Sequence, residues 1–380
     1  MLTIADENLP FVTEAFSTVG EIRTFPGKKI TPSVVRDADI LVVRYITEVN
    51  EGLLENSRVR FVGTASTGFD HIDVEYLRSK SIGFVNAPGS NSNSVAEYVM
   101  SSLLVLNRRD KISLENIKLG VVGVGNVGSK VVKKAQGLGI EVLQNDPPRA
   151  RISNDPAFLP LDELMDCDVI TLHVPLSRKG IDATYHLFDE GRLSKMNAHS
   201  ILINTSRGKV VAESALKSVL RGTNLSGAVL DVWENEPQMD TDLLRMVDIG
   251  TPHIAGYSWD GRTNGTVMIY KAACKFFHIP ETWRYEMPDA EVPYLEKDVE
   301  RDNYLNVMDD AVRAIYDIEL DDSKLRKVLT LSGEDAGKYF ETFRKRYFKR
   351  REFFNTKLKL NTRDIEIKAR FRALGFDVIN

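Results

Sequence analysis

Apolar runs too short for a helix recur through the first 280 residues, with stretches of helical period between them. Residues 1 to about 93 read LTIADE, VTEAFSTVG, DILVVRY, VRFVGTAS, VEYLRSKS and IGFVNAP, short strands alternating with helices. Continuous apolar runs suit strands covered on both faces, and intervening helices make their pairing parallel. The pattern resumes after Lys118, where VITLHV, SILINTSRG, LSGAVLDVW and VDIGTPHIAG read as strands and AESALKSVLRG as a helix ended by Gly222. It predicts an α/β protein with a doubly wound sheet, whose functional loops lie at the carboxyl ends of strands. Ser94 to Asn107 reads as a helix, with Ser94 its N-cap and Glu97 completing a capping box. An amphipathic run from Trp259 to Phe277 precedes a proline-bearing break at 279–293. The last segment, from about 290, has its own apolar periodicity and ends in a helix stopped by Gly375 and a short strand.

The stretch Lys118 to Asp146, KLGVVGVGNVGSKVVKKAQGLGIEVLQND, organises the rest. A strand over Leu119 to Val124 turns through Gly123, Gly125 and Gly128 into a helix from Asn126 to Gly137, and a second strand, Ile140 to Leu143, ends near Asp146. The first glycine permits the turn, the second lets backbone approach a pyrophosphate, and the third lets helix pack on strand. The phosphates then sit at a helix N-terminus, where unpaired N–H groups and the dipole favour an anion. Asp146 stands 18 residues beyond Gly128, placed to accept from two ribose hydroxyls and to repel a ribose phosphate, which favours NAD over NADP. Arg149 close by is the feature that would suit NADP.

Composition narrows the class without changing the fold. A length of 380 residues argues for two or three domains, and a net charge of −4 spread along the chain argues against nucleic acid or a membrane surface as partner. Two cysteines far apart, Cys167 and Cys274, fit a reducing compartment, and six histidines show no metal-ligand spacing. The N-terminus lacks a basic segment backed by an apolar core, so a cytoplasmic protein is expected.

Three chemical residues follow successive apolar strands: Arg207 in NTSRG, Glu236 in DVWENEP and His253 in TPHIAG. Arginine can clasp a carboxylate through two bonds, histidine can take or give a proton near neutral pH, and a glutamate beside it fixes the tautomer and favours the imidazolium. In the first domain, Arg44 and Tyr45, residues 66–73 and residues 86–93 lie on strand-end loops where a ligand could meet backbone N–H groups. The run Arg344, Lys345, Arg346, Lys349, Arg350, Arg351, interleaved with Tyr347, Phe348, Phe353 and Phe354, reads first as a solvated face. With Arg44 it is also a source of cations for an anionic ligand.

The order GVGNVG, NTSRG, ENEP and PHIAG, with a discontinuous first domain, resembles the D-specific 2-hydroxyacid dehydrogenases over residues 1 to about 280. ADENLP, FVGTASTGFDHID, NAPGSNS, HIAGYSWDGR and FRKRYFKRREF resemble more narrowly, over nearly the whole chain, the branch that oxidises 4-phospho-D-erythronate with NAD. The resemblance implies a flavodoxin-like substrate domain (1–93 plus 258–285), a Rossmann-type NAD domain (94–257) and a C-terminal α+β domain (286–380) that pairs two copies into a homodimer. It makes Arg207, Glu236 and His253 catalytic. Gly123, Gly125, Asn126, Val127, Gly128, Asp146, Val174, Thr205, Ser206, Asp231 and Gly256 would lie along NAD, and Arg44, Tyr45, Ser66 and Tyr257 would meet a small phosphorylated 2-hydroxy acid. The chain departs from the family where Tyr45 replaces a serine and Val174 a threonine. Oxidation of another D-2-hydroxy acid such as 3-phosphoglycerate, or NAD sensing without catalysis, would use the same features.

Overall fold

The structure is a computed structural model that describes residues 1–222 and 225–379. It divides into two compact units, one of residues 1–91 and 257–288, the other of residues 92–256 and 289–380.

The first unit is built on β1 (Leu2–Asp6), β2 (Glu21–Phe25), β3 (Ile40–Val43), β4 (Phe61–Thr64) and β5 (Gly83–Asn86), all parallel in the order β2-β1-β3-β4-β5. Ile40–Val43 is buried at every position, as a central strand covered on both faces must be. Alternate residues feed opposite cores: Ala5, Ile40 and Val42 on one face, Ile4, Leu41 and Val43 on the other. The helix Trp259–Phe277 covers the first of these with Ile269, Tyr270, Ala273 and Cys274. It comes close because β4 offers Gly63, where a β-carbon would lie 2.2 Å from Ile269 Cγ2.

In the second unit β6 (Lys118–Val122), β7 (Glu141–Asn145), β8 (Val169–Leu172), β9 (Ile201–Asn204), β10 (Gly227–Leu230) and β11 (Ile249–Gly250) form a parallel sheet in the order β11-β10-β9-β8-β6-β7. Its cores also split by parity, with Val121, Val169, Ile201 and Val229 on one face and Val122, Ile170, Leu202 and Leu230 on the other. Residues 289–379 contribute to both. Phe353, Phe371 and Leu374 join the first core, and Leu325, Val328 and Phe340 the second. A small parallel sheet, β12 (Tyr294–Asp298), β13 (Lys357–Asn361) and β14 (Asp377–Ile379), completes the segment in the order β12-β13-β14.

Three expectations need correction. The helix after the first unit runs Ser92–Arg108, so Ser94 lies inside it and its hydroxyl donates to the Ala255 carbonyl at 2.8 Å. Glu97 closes no capping box; it is buried and accepts from Asn93 Nδ2 and the Phe353 N–H, both at 2.9 Å. The basic run is a solvated face only in part: Lys345, Arg346 and Lys349 are exposed, while Arg344, Arg350 and Arg351 are buried. In each case a partner distant in sequence outweighs the local signal.

Candidate active site

The glycine loop is pinned at two positions and open at the third. Gly123 adopts φ +86°, and a β-carbon there would lie 2.8 Å from the His173 carbonyl. A β-carbon on Gly128, the first residue of the helix Gly128–Gly137, would lie 2.0 Å from the Gly123 carbonyl oxygen. At Gly125 it would meet nothing within 4 Å, which leaves the space a pyrophosphate needs. Asn126 is exposed beside it and Val127 half-buried.

Asp146 follows β7 and turns back to this loop. Its Oδ2 accepts the Val124 N–H at 2.9 Å, and its Oδ1 accepts the Arg149 N–H at 3.0 Å, capping the helix Pro147–Ser153. Each oxygen keeps a lone pair for a ribose hydroxyl. Arg149 donates to the Val124 carbonyl and lies over the Phe158 ring at 5.2 Å, so it helps hold the loop. These residues fit NAD.

Val174 leans on the loop from β8, its Cγ1 2.8 Å from where a Gly123 β-carbon would be. The preceding His173 is bridged by Thr171 at 3.0 Å and Thr205 at 3.2 Å. Desolvation pushes this ring down to about 3, so it is neutral near pH 7. At the end of β9, Asn204 Oδ1 accepts the N–H and hydroxyl of Ser206 at 3.0 and 2.8 Å, and its amide donates to the Arg207 carbonyl at 3.0 Å. This Asx turn sets the direction of Arg207, whose Nη1 donates to the Ser206 carbonyl at 2.8 Å. Gly208 then passes against the neighbouring loop so closely that a β-carbon would lie 2.0 Å from the Trp233 carbonyl.

That neighbouring loop carries Glu236, which joins Pro237 through a cis peptide bond. Glu236 Oε1 accepts the Trp233 N–H at 3.0 Å, and Oε2 faces His253 Nδ1 at 2.8 Å. Arg344, from the helix Gly333–Lys345, brings Nη1 within 4.0 Å of the same Oε2. Burial pushes the Glu236 carboxyl up. The charge and hydrogen bond of His253 and the charge of Arg344 outweigh it, so the group is held below the ordinary carboxylate range.

His253 sits at φ +56°. Its loop is wound around Asp231, whose buried carboxylate accepts from Thr251 Oγ1 at 2.6 Å, the Ile254 N–H at 2.7 Å and the Ala255 N–H at 2.9 Å. Gly256 follows, partly exposed. Behind the loop, the fully buried Arg350 lies over the Tyr316 ring at 3.9 Å and donates to the Ala255 carbonyl at 3.1 Å and to the Ser94 hydroxyl. The C-terminal segment therefore holds both the acid and the loop that orient His253.

In the first unit, Arg44, Tyr45 and Tyr257 lie together. Arg44 pairs with the buried Asp6 at 3.0 Å, and the Tyr257 hydroxyl donates to that of Tyr45 at 3.4 Å. Ser66 follows β4, and its carbonyl accepts the Ala87 N–H at 3.1 Å. The sequence reading missed Asn204 and His173, and named Arg344 only within the basic run, without its place beside Glu236. An Asn two residues before a Ser in a strand-end loop is a readable Asx-turn signal, whereas Arg344 lies too far along the chain from Glu236 for any local pattern to join them. Among the described residues there is no cluster able to hold a metal ion and no helix long and apolar enough to cross a membrane.

Comparison with known proteins matches residues 95–255 to the D-isomer specific 2-hydroxyacid dehydrogenase, NAD binding domain, and residues 287–375 to a domain of unknown function. The chain is 39% identical over 382 residues to an erythronate-4-phosphate dehydrogenase of Hahella chejuensis, covering 100% of this chain and 99% of the relative. It is 41% identical over 384 residues to one of Marinobacter nauticus, covering 99% of each. Among solved structures, the D-lactate dehydrogenase of Aquifex aeolicus complexed with NAD and lactic acid matches at TM-score 0.64 and 28% identity, over 73% of this chain and 96% of that one.

Proposed function

The chain belongs to the erythronate-4-phosphate dehydrogenase family of D-isomer-specific 2-hydroxyacid dehydrogenases, and from that footing we propose that it oxidises 4-phospho-D-erythronate to 2-oxo-3-hydroxy-4-phosphobutanoate with NAD, in vitamin B6 biosynthesis. The observation that carries this reading is the His253–Glu236 pair, 2.8 Å apart on loops that follow strands of the same parallel sheet as the glycine loop.

NAD, when bound, accepts the hydride from C2 of the acid. The chain supplies the rest. Arg207 offers a planar fork to the substrate carboxylate and draws charge toward the developing carbonyl oxygen. Glu236 fixes the proton on Nδ1 of His253, which leaves the Nε2 lone pair to take the hydroxyl proton as hydride departs. The same carboxylate then stabilises the imidazolium. Asn204 and Asp231 act one step back, setting the loops that bear Arg207 and His253. Arg44, Tyr45, Ser66 and Tyr257 are assigned to the substrate.

The test is NADH formation by the purified protein with 4-phospho-D-erythronate, 3-phosphoglycerate and unphosphorylated D-erythronate, with a 2-oxo acid present in a parallel sample to reoxidise retained NADH. Preference for the phosphorylated four-carbon acid is expected; turnover of 3-phosphoglycerate alone would reassign the substrate and leave the pair in place.

We also assign the protein to the cytoplasm, since both its cysteines are buried and unpaired. Residues 289–379 serve in pairing two copies. They expose Tyr294, Leu320, Leu331, Phe348, Phe354 and Ile365, side chains that a second copy would cover. Light scattering that returned the mass of a single chain at micromolar concentration would end the dimer reading.

A further inference from the structure

The sheet order of the first unit creates a second place where the chain can hold an anion. Strands β1 and β3 are neighbours, but the chain leaves β1 toward β2 on one side and β3 toward β4 on the other. Loops that diverge in this way leave a crevice at the carboxyl ends of the two strands, where open α/β sheets bind ligands. Here the crevice is bordered by Asp6 and Asn8 after β1 and by Arg44 and Tyr45 after β3. The first turn of the helix Trp259–Phe277 adds Arg262, and the residue two before that helix is Tyr257.

The side chains form two arginine–tyrosine pairs that meet. Arg44 lies 5.9 Å from the centre of the Tyr45 ring, Arg262 lies 5.7 Å from that of Tyr257, and the two phenol oxygens are 3.4 Å apart. Arg262 is further fixed by the Trp259 ring at 5.4 Å and by donating Nη2 to the Asn8 carbonyl at 2.8 Å. The charges do not balance. The Asp6 carboxylate is taken up by Arg44 at 3.0 Å and by the Asn8 N–H at 2.8 Å, and among the described residues Arg262 makes no ion pair with a carboxylate. Burial and the like charge of Arg44 press against the ionised state of Arg262 and outweigh the support it draws from Tyr257, Asp6 and Tyr45. A pair of guanidinium groups held in a half-buried crevice against one spent carboxylate is costly alone and stabilised by an incoming dianion.

We propose that Arg44 and Arg262 together bind the phosphate of the substrate, with the Tyr45 and Tyr257 hydroxyls donating to its remaining oxygens. This rests on the substrate reading above and extends it to a residue with no part there. It also gives Tyr45 a use: a phenol reaches further from the backbone than a serine and meets Tyr257 directly. The basic run near the C-terminus is then not needed as a phosphate site, since Arg344 serves Glu236, Arg350 the Ala255 carbonyl and Arg351 Asn355.

The experiment compares kcat/KM for 4-phospho-D-erythronate with that for D-erythronate in the wild-type protein, in Arg262→Met and in Arg262→Lys. Loss of charge-assisted bonds to phosphate lowers the ratio roughly 10- to 100-fold in Arg262→Met. Arg262→Lys keeps the charge and much of the packing, so it serves where the methionine variant does not fold; without the two-pronged fork its ratio falls roughly 3- to 10-fold. A ratio within twofold of wild type in the folded variants, or equal losses on both acids, overturns the assignment. Failure of the wild-type protein to prefer the phosphorylated acid is a separate result, which overturns the substrate reading and this inference with it.

Discussion

At the scale of single residues, the His253–Glu236 pair is tuned by a group outside the strand-end loops. Glu236 is held below the ordinary carboxylate range, so its charge, and the order it imposes on His253, persist until the pH falls through that depressed value. The groups facing it are His253, the Trp233 N–H and Arg344. Arg344→Met removes one of the two opposing cations and leaves burial unopposed to that extent. The acid limb of the pH profile of kcat/KM should therefore move upward, by on the order of one pH unit. Arg344→Lys should restore most of it, while a limb that does not move would show that Arg344 packs without tuning. That Arg207, Glu236 and His253 each follow an apolar strand was legible, since the period of the chain marks such positions by itself. Arg344 was not, since a solvated charge run and a buried one look alike until the sheet they pack on exists.

Among elements, the loop after β9 and the loop after β10 touch through a glycine. Gly208 has no room for a side chain against the Trp233 carbonyl, so Gly208→Ala must push the Arg207 loop away from the loop that carries Glu236. A displacement of about 1 Å is enough for a loss on the order of 100-fold in kcat. Overpacking of this kind costs roughly 1–3 kcal/mol of stability. Steady-state kinetics beside a thermal melt would separate the two; an alanine variant with native kcat would mean that the Trp233 loop yields freely. The central strands were readable from their unbroken apolar runs and the glycine loop from its context, whereas the edge strand Glu21–Phe25, mostly polar and exposed, was not. Helix ends read less well. Ser94 has the look of an N-cap, yet its hydroxyl is used by Ala255 and Arg350, and a chain position about 160 residues away leaves no trace in a local window.

Over the whole molecule, the C-terminal segment joins the sheet of the second unit through charge as well as apolar packing. Glu97 is buried on the helix Ser92–Arg108, with Asn93 bridging it to Glu352 at 2.9 and 2.7 Å. Lys134 donates to the Leu374 carbonyl at 2.6 Å. Burial, then the charge of Glu352, push the Glu97 carboxyl up to about 8, against Lys134 and Arg350, which lower it. Its folded value thus exceeds the unfolded one. The folded protein holds the extra proton, and the stability it lends is full below the unfolded value and lost as pH rises toward 8. Glu97→Gln, which keeps an acceptor for the Phe353 N–H, should flatten the fall in Tm between pH 5 and 8; an equally steep fall in the variant would place its origin elsewhere. The sequence marked this segment as distinct by its proline-bearing break, but could not show that its apolar residues complete cores begun by other strands.

The first unit takes four of its core residues, Ile269, Tyr270, Ala273 and Cys274, from a helix that ends at Phe277. On the ribosome its five strands are made long before that helix, and at about 5–20 residues per second they wait roughly ten to forty seconds with one face of the sheet covered only in part, by the helix Val12–Ser17. A nascent chain in that interval presents Ala5, Ile40, Val42 and Phe61 without the share of their cover that the later helix supplies. The order of synthesis thus leaves the earliest part of this protein waiting for a helix made much later, and open to capture by chaperones while it waits.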